Sequence, residues 1–244
     1  MSTRPSFFHT APSPAVVAAG MKVAPQEPFG AGRPLWDAGR FAEEQIRRLV
    51  RQVFFPGWPR PAHHVAFAAV DDKSDTAAIC ANVGEVLCAQ APGNTCIVEA
   101  TPGGEAAEKP EDSAAIKGPG DEAFAPAEYR TRRLSDRLWH MPYKSFSASG
   151  ERVSGTTRLE EQVRRLRAMF NYTAIHVPPV GICHDAILLG QYCDGVVLIV
   201  EANSTRRAAA QKVKEMLQAA NVRLLGTVLS GRTFPIPHAI YHKL

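Results

Sequence analysis

Apolar residues at Ile46, Leu49, Val50, Val53 and Phe54 recur every three or four positions, the spacing of one helical face. They predict a helix from about Asp37 that Pro56 stops. Beyond it the period changes. Mostly apolar runs at 64–69, 95–100, 172–177, 195–200 and 223–229 read as short buried strands, with Arg137 to Met141 as a further one. Between them, 76–89, 157–170, 183–191 and 204–220 read as helices. In 157–170, Leu159, Val163, Leu166, Met169 and Phe170 form one stripe. Apolar strands separated by helices predict an α/β fold, a mostly parallel sheet with helices on both faces. Residues 1–34, rich in Pro, Ala and Gly without periodicity, read as a flexible tail. Residues 35–244 read as a single domain, with 101–121 as a surface loop dense in Gly, Pro, Glu and Lys.

Composition narrows the function classes. The 244 residues are 45% hydrophobic and 21% charged, ordinary for a globular chain with a substantial core. A net charge of +4, with arginines grouped at Arg47, Arg48, Arg51 and at Arg164, Arg165, Arg167, reads as solvated helix faces. No basic stripe is interleaved with aromatics, so no nucleic-acid partner is expected. The five cysteines lack C-x-x-C spacing and mostly sit in apolar segments, which reads as reduced thiols in a cytoplasmic protein. His176 and the run Cys183-His184-Asp185 are the nearest thing to a metal set, but adjacent residues on one helix diverge, so no metal is expected. No apolar run approaches the roughly 18–20 residues that span a bilayer, and Ala15 to Ala19 lacks the flanks of a signal peptide.

Chemistry concentrates between the first strand and the following helix. Strand, loop and helix in that order form the frame of a phosphate-binding loop, yet Val70-Asp71-Asp72-Lys73-Ser74-Asp75-Thr76 contains no glycine and no G-K-[ST] ending. Three carboxylates stand where a helix N-terminus would receive phosphate. Ser74 or Asp75 is instead a good N-cap, able to satisfy the helix end from within the chain.

Three later segments, Phe170-Asn171-Tyr172-Thr173-Ala174-Ile175-His176-Val177-Pro178-Pro179, His184-Asp185-Ala186 and Asp194-Gly195-Val196-Val197-Leu198-Ile199-Val200, resemble the C-terminal half of the bacterial tyrosine kinases of capsule and exopolysaccharide synthesis. Those proteins belong to the MinD/ParA-like branch of P-loop NTPases. Glu44-Gln45-Ile46-Arg47-Arg48-Leu49 is similar to the family's E-x-x-R helix, and Leu225 to Ser230 to its G-x-V-L-N strand. The resemblance runs over about residues 40–244 and implies a three-layer P-loop NTPase-like fold. It also implies a nucleotide site at Lys73, Ser74, Asp75, Thr76, Glu99, His176, Asp185 and Ser230.

At those positions this chain departs from the family pattern. Thr76 falls where the phosphate lysine belongs and Ala77 where the Mg²⁺ hydroxyl belongs. Of the acidic positions Glu99 remains, while His176 replaces another, and Ser230 replaces the asparagine that closes on the base. Phosphoryl transfer depends on positioning and charge neutralisation, so no catalytic residue and no cofactor is expected. In the bland reading Glu99 faces solvent or pairs with a basic neighbour, His176 is a satisfied core histidine, Asp185 caps its helix, and Glu44 and Arg47 form an i,i+3 pair.

The favoured expectation is a catalytically inactive kinase-like module of exopolysaccharide synthesis or export. The resemblance implies a cytoplasmic protein docked on an inner-membrane polysaccharide co-polymerase or another export protein, with Glu44, Arg47 and Arg51 as contact residues. Homo-oligomerisation through the same helix is a further implication, weakened because Val50 holds the last arginine position. The alternative is a divergent active ATPase or tyrosine kinase that uses Mg-ATP, with Lys73 on phosphate and Glu99 as metal carboxylate or base. A MinD-type positioning role needs a nucleotide switch that this loop disfavours.

Overall fold

The computed structural model describes residues 16–18, 38–55, 61–101, 131–147 and 156–231. Eight strands form one sheet: β1 (Val16–Ala18), β2 (His64–Ala69), β3 (Thr95–Glu99), β4 (Arg132–Arg133), β5 (Leu138–Met141), β6 (Tyr172–Val177), β7 (Gly195–Glu201) and β8 (Leu224–Ser230). The helices are α1 (Ala38–Phe54), α2 (Thr76–Gln90), α3 (Tyr143–Ser147), α4 (Thr156–Met169), α5 (Asp185–Tyr192) and α6 (Arg207–Ala219). The strand order is β1-β8-β7-β2-β6-β3-β5-β4, and every pairing is parallel except β4 with β5.

Period-two alternation sends the two sides of each strand into separate cores. Val65, Phe67, Ile97, Ala174, Val197 and Ile199 meet the apolar faces of α1 and α2. Ala66, Ala68, Val98, Ile175, Val196 and Leu198 meet α3, α4, α5 and α6. Burial on both faces explains why β2 is buried along its whole length and reads as an unbroken apolar run. Gly84 on α2 lies directly against Ile97, and a Cβ there would collide with that side chain. The glycine therefore sets how closely α2 packs on the sheet.

At the end of the sheet where the parallel strands begin, Asp194 joins three elements. It accepts hydrogen bonds from the His63 N–H at 2.7 Å and the His64 N–H at 2.8 Å, and from Arg167 Nη2 of α4 at 2.7 Å. Burial alone would raise this carboxyl, but the bonds from His64, Arg167 and His63 outweigh it and hold the group below the usual carboxylate range. His64 is buried with Nδ1 3.1 Å from Thr173 Oγ1. Its burial, aided by the nearby Arg167 charge, lowers its pKa to about 4.

Two expectations are corrected. Within the segment read as a tail, Val16–Ala18 forms β1 and pairs in parallel with Thr227 to Leu229, because β8 is otherwise an open edge. The rest of 1–34 and the loop residues after Thr101 lie outside the described residues. The sheet is mostly parallel, as expected, with β4 alone folding back antiparallel on β5 through a tight turn. The last helix starts at Arg207 rather than 204, because Ala202 to Thr205 form a turn in which Asn203 has φ 62°.

Candidate functional site

The strands of the open sheet run parallel, so their C-terminal ends share one edge, where α/β folds bind ligands. The loop from Val70 to Asp75 crosses that edge between β2 and α2. It is tethered at both ends. The Val70 N–H donates to Ile199 O at 3.1 Å, and Asp71 Oδ2 accepts from the Thr205 hydroxyl at 3.0 Å. Asp75 is the N-cap of α2, its Oδ1 accepting from the Ala78 N–H at 3.1 Å. The helix end that would hold phosphate thus has a carboxylate of its own chain upon it. Thr76 is buried, and Ser74 Oγ is buried without a hydrogen-bond partner among the described residues.

Glu99 ends β3 opposite His176 on β6, and His140 sits on β5 two residues earlier in register. The matching parity puts all three on the α2 face of the sheet. Glu99 Oε1 lies 3.4 Å from His140 Nε2, so the carboxylate meets a histidine rather than open solvent. His176 is not the satisfied core residue expected, since its Nδ1 is buried with no partner among the described residues. Burial lowers its pKa, against the opposing pull of Glu99 and Asp75. The buried Cys80 thiol is pushed up by burial and then by Glu99. Among the described residues, no three His, Cys, Asp or Glu side chains are placed to hold a metal ion.

Ser230 ends β8 and donates to Glu201 Oε2 at 2.6 Å. Both line a cavity of about 550 Å³ between α1 and α2, together with Lys73, Asp75, Arg47 and Glu85. Of the expected site residues, the structure brings Lys73, Asp75 and Ser230 to this cavity and places Glu99 with His176 further along the sheet edge. Asp185 is not among the residues that line the cavity. It does not cap α5 but lies in its first turn behind His184, which makes no side-chain capping bond. On α1, Arg47 pairs more closely with Glu43, at 2.5 Å, than with Glu44, at 3.8 Å. Arg47 lines the cavity, whereas Arg51 is exposed.

Sequence reasoning missed Glu201, Glu85 and His140. Glu201 directly follows the run Gly195 to Val200, at the C-terminal end of a parallel strand, and that position was its signal. His140 had no comparable signal, because its partner is known only from the strand order.

Comparison with known proteins agrees with this architecture. No protein-family model matches the chain. Tyrosine-protein kinase CpsD of Streptococcus agalactiae is 30% identical over 70 residues, which is 29% of this chain and 31% of that protein. Tyrosine-protein kinase CpsD of Streptococcus pneumoniae serotype 4 is 33% identical over 95 residues, 39% of this chain and 42% of that protein. The chain therefore matches less than half the length of these relatives. In three dimensions, the kinase domain of Escherichia coli tyrosine kinase ETK superposes with a TM-score of 0.61 at 12% identity, over 92% of this chain and 94% of that one. The MinC:MinD cell division protein complex of Aquifex aeolicus superposes with a TM-score of 0.51 at 15% identity, over 75% and 72%. No helix among the described residues is long and apolar enough to cross a membrane. Over part of its length the chain is similar to tyrosine-protein kinases CpsD, and its α/β fold is the one seen in the ETK kinase domain and in MinD.

Proposed function

We propose that this chain is a kinase-like protein without phosphoryl-transfer activity, acting as a regulatory or scaffolding module of bacterial exopolysaccharide synthesis or export. One observation carries the reading: the Asp75 carboxylate caps the N-terminus of α2, the place where a phosphate would sit. An arriving triphosphate meets Asp71, Asp72 and Asp75 at close range, without glycine N–H groups to receive it. The residues present do not fit Mg-ATP, since Thr76 and Ala77 stand at the lysine and hydroxyl positions and His176 at an acidic one. Lys73, which would have to serve as the phosphate ligand of an active enzyme, lines the cavity beside Ser230 and Glu201.

The relatives are tyrosine-protein kinases by name, and the polysaccharide role comes from that likeness. On it rest a cytoplasmic location at the inner membrane and a co-polymerase or other export protein as partner. Glu44, Arg47 and Arg51 on α1 are the proposed contact residues, and self-association through the same helix belongs to the proposal.

Calorimetric titration of the full chain with Mg-ATP and Mg-ADP tests it. Absence of heat at about millimolar nucleotide, roughly 4 kcal/mol of binding free energy or less, supports an inactive module. Micromolar binding lost on Lys73→Ala and Glu99→Gln would instead establish a divergent enzyme.

A further inference from the structure

We propose that the cavity between α1 and α2 binds a small organic cation, an amine or guanidinium on an apolar body, with Glu201 as its anchor. This rests on the reading that Mg-ATP does not occupy this end of the sheet. At about 550 Å³ the cavity has the size of a small-molecule site. Ile46, Ile79 and Val86 give it an apolar wall, and Glu201, Ser230 and Lys73 give it a polar end.

Glu201 is held in place before any ligand arrives. Ser230 Oγ donates to its Oε2 at 2.6 Å, and its own N–H donates to Thr205 Oγ1 at 3.1 Å. Gly231, at φ 64°, lies against the carboxylate so closely that a Cβ would collide with Oε1. Only glycine lets the chain turn there while the carboxylate stays put. A carboxylate that has accepted one hydroxyl keeps lone pairs for a charged donor, and a guanidinium or ammonium makes the stronger, charge-assisted bond.

The surrounding charge selects the same sign. Glu43, Asp75, Glu85 and Glu201 line the cavity against Arg47 and Lys73, and Arg47 is already paired with Glu43. An anion entering here meets net repulsion and a cation net attraction. The apolar wall adds a preference for an amine with a hydrocarbon body over a bare metal ion.

Calorimetry on the full chain with agmatine, a guanidinium and an amine joined by a butyl chain, tests the proposal with Mg-ATP titrated in parallel. Saturable agmatine binding is expected, weakened about tenfold or more by Glu201→Gln. Ala78→Trp, on the exposed side of α2, should block the cavity without affecting folding. Glu160→Gln, on α4 of the opposite layer, should leave the affinity unchanged. Silence up to about 10 mM agmatine, or equal affinity in wild type and Ala78→Trp, overturns the proposal. Ala78→Trp decides the matter even where Glu201→Gln fails to fold. Mg-ATP binding overturns the inactive-module reading and this proposal with it, whereas silence from both ligands overturns this proposal alone.

Discussion

Asp194 occupies a position where one carboxylate serves two backbone N–H groups and a guanidinium, and losing it strips the N–H groups of His63 and His64 of this acceptor and leaves Arg167 with the Tyr192 carbonyl. Asp194→Ala is expected to lower stability by about 2–3 kcal/mol, discounted because Arg167 remains partly solvated. Urea denaturation with an unchanged m-value checks this. His64 next to it sets a pH dependence. Its folded pKa of about 4 lies below the ordinary imidazole value of 6.5, so the native state favours the neutral ring. Stability from this group is full above pH 6.5 and falls as pH drops toward about 4, by roughly 2–4 kcal/mol in total. Asp194, also depressed, loses its contribution only at lower pH, as its carboxylate protonates below the ordinary range. Urea midpoints measured from pH 7 to 4 should therefore decline in wild type and flatten in His64→Asn. None of this was legible in the chain. Asp194 stood out only as the first residue of the Asp194 to Val200 segment that carries the family resemblance, and its backbone partners lie 131 and 130 positions away.

α2 is the element on which the functional reading turns, and two of its residues have separable tasks. Asp75→Ala removes a side-chain cap and should cost about 1 kcal/mol, without conferring ATP binding, because no glycine or lysine takes its place. A lowered melting temperature with flat ATP titration is the expected pair of results. Gly84→Val forces a branched side chain against Ile97 and should cost about 1–3 kcal/mol, partly recovered by adding Ile97→Ala, as a double-mutant cycle would measure. The bounds of β2, α2, β6 and β7 followed the apolar pattern closely, because local periodicity and turn residues determine them. The elements β1, α3 and β4 did not, since two to five residues are too few to show a period. The Asp75 cap was legible because capping is a local bond over three residues. The Glu201–Ser230 and Glu99–His140 contacts were not, because strand order alone brings their partners together.

Across the whole molecule, the parallel sheet gathers the loop after β2, the end of β3 and the ends of β7 and β8 along one edge. The alternation of elements announced that arrangement, while the order in which strands lie was invisible. What the sheet leaves exposed is its flanks. On one side β4 and β5 close it with an antiparallel turn, and Arg133 lies over the Trp139 ring at 5.8 Å. On the other, β1 covers Thr227 to Leu229 of the seven-residue β8 and also touches α1, which walls the cavity. Those three pairings are a thin cover for a strand that is otherwise an open template. Removal of residues 1–18 should lower stability by about 1–3 kcal/mol, the net worth of a few backbone bonds. It should also raise the apparent mass with concentration, as free β8 edges pair between molecules. Light scattering on the full and shortened chains over the same concentration range measures the second effect directly. Identical mass curves and identical urea midpoints would mean that β1 adds nothing to the edge, and that β8 is guarded by its own sequence.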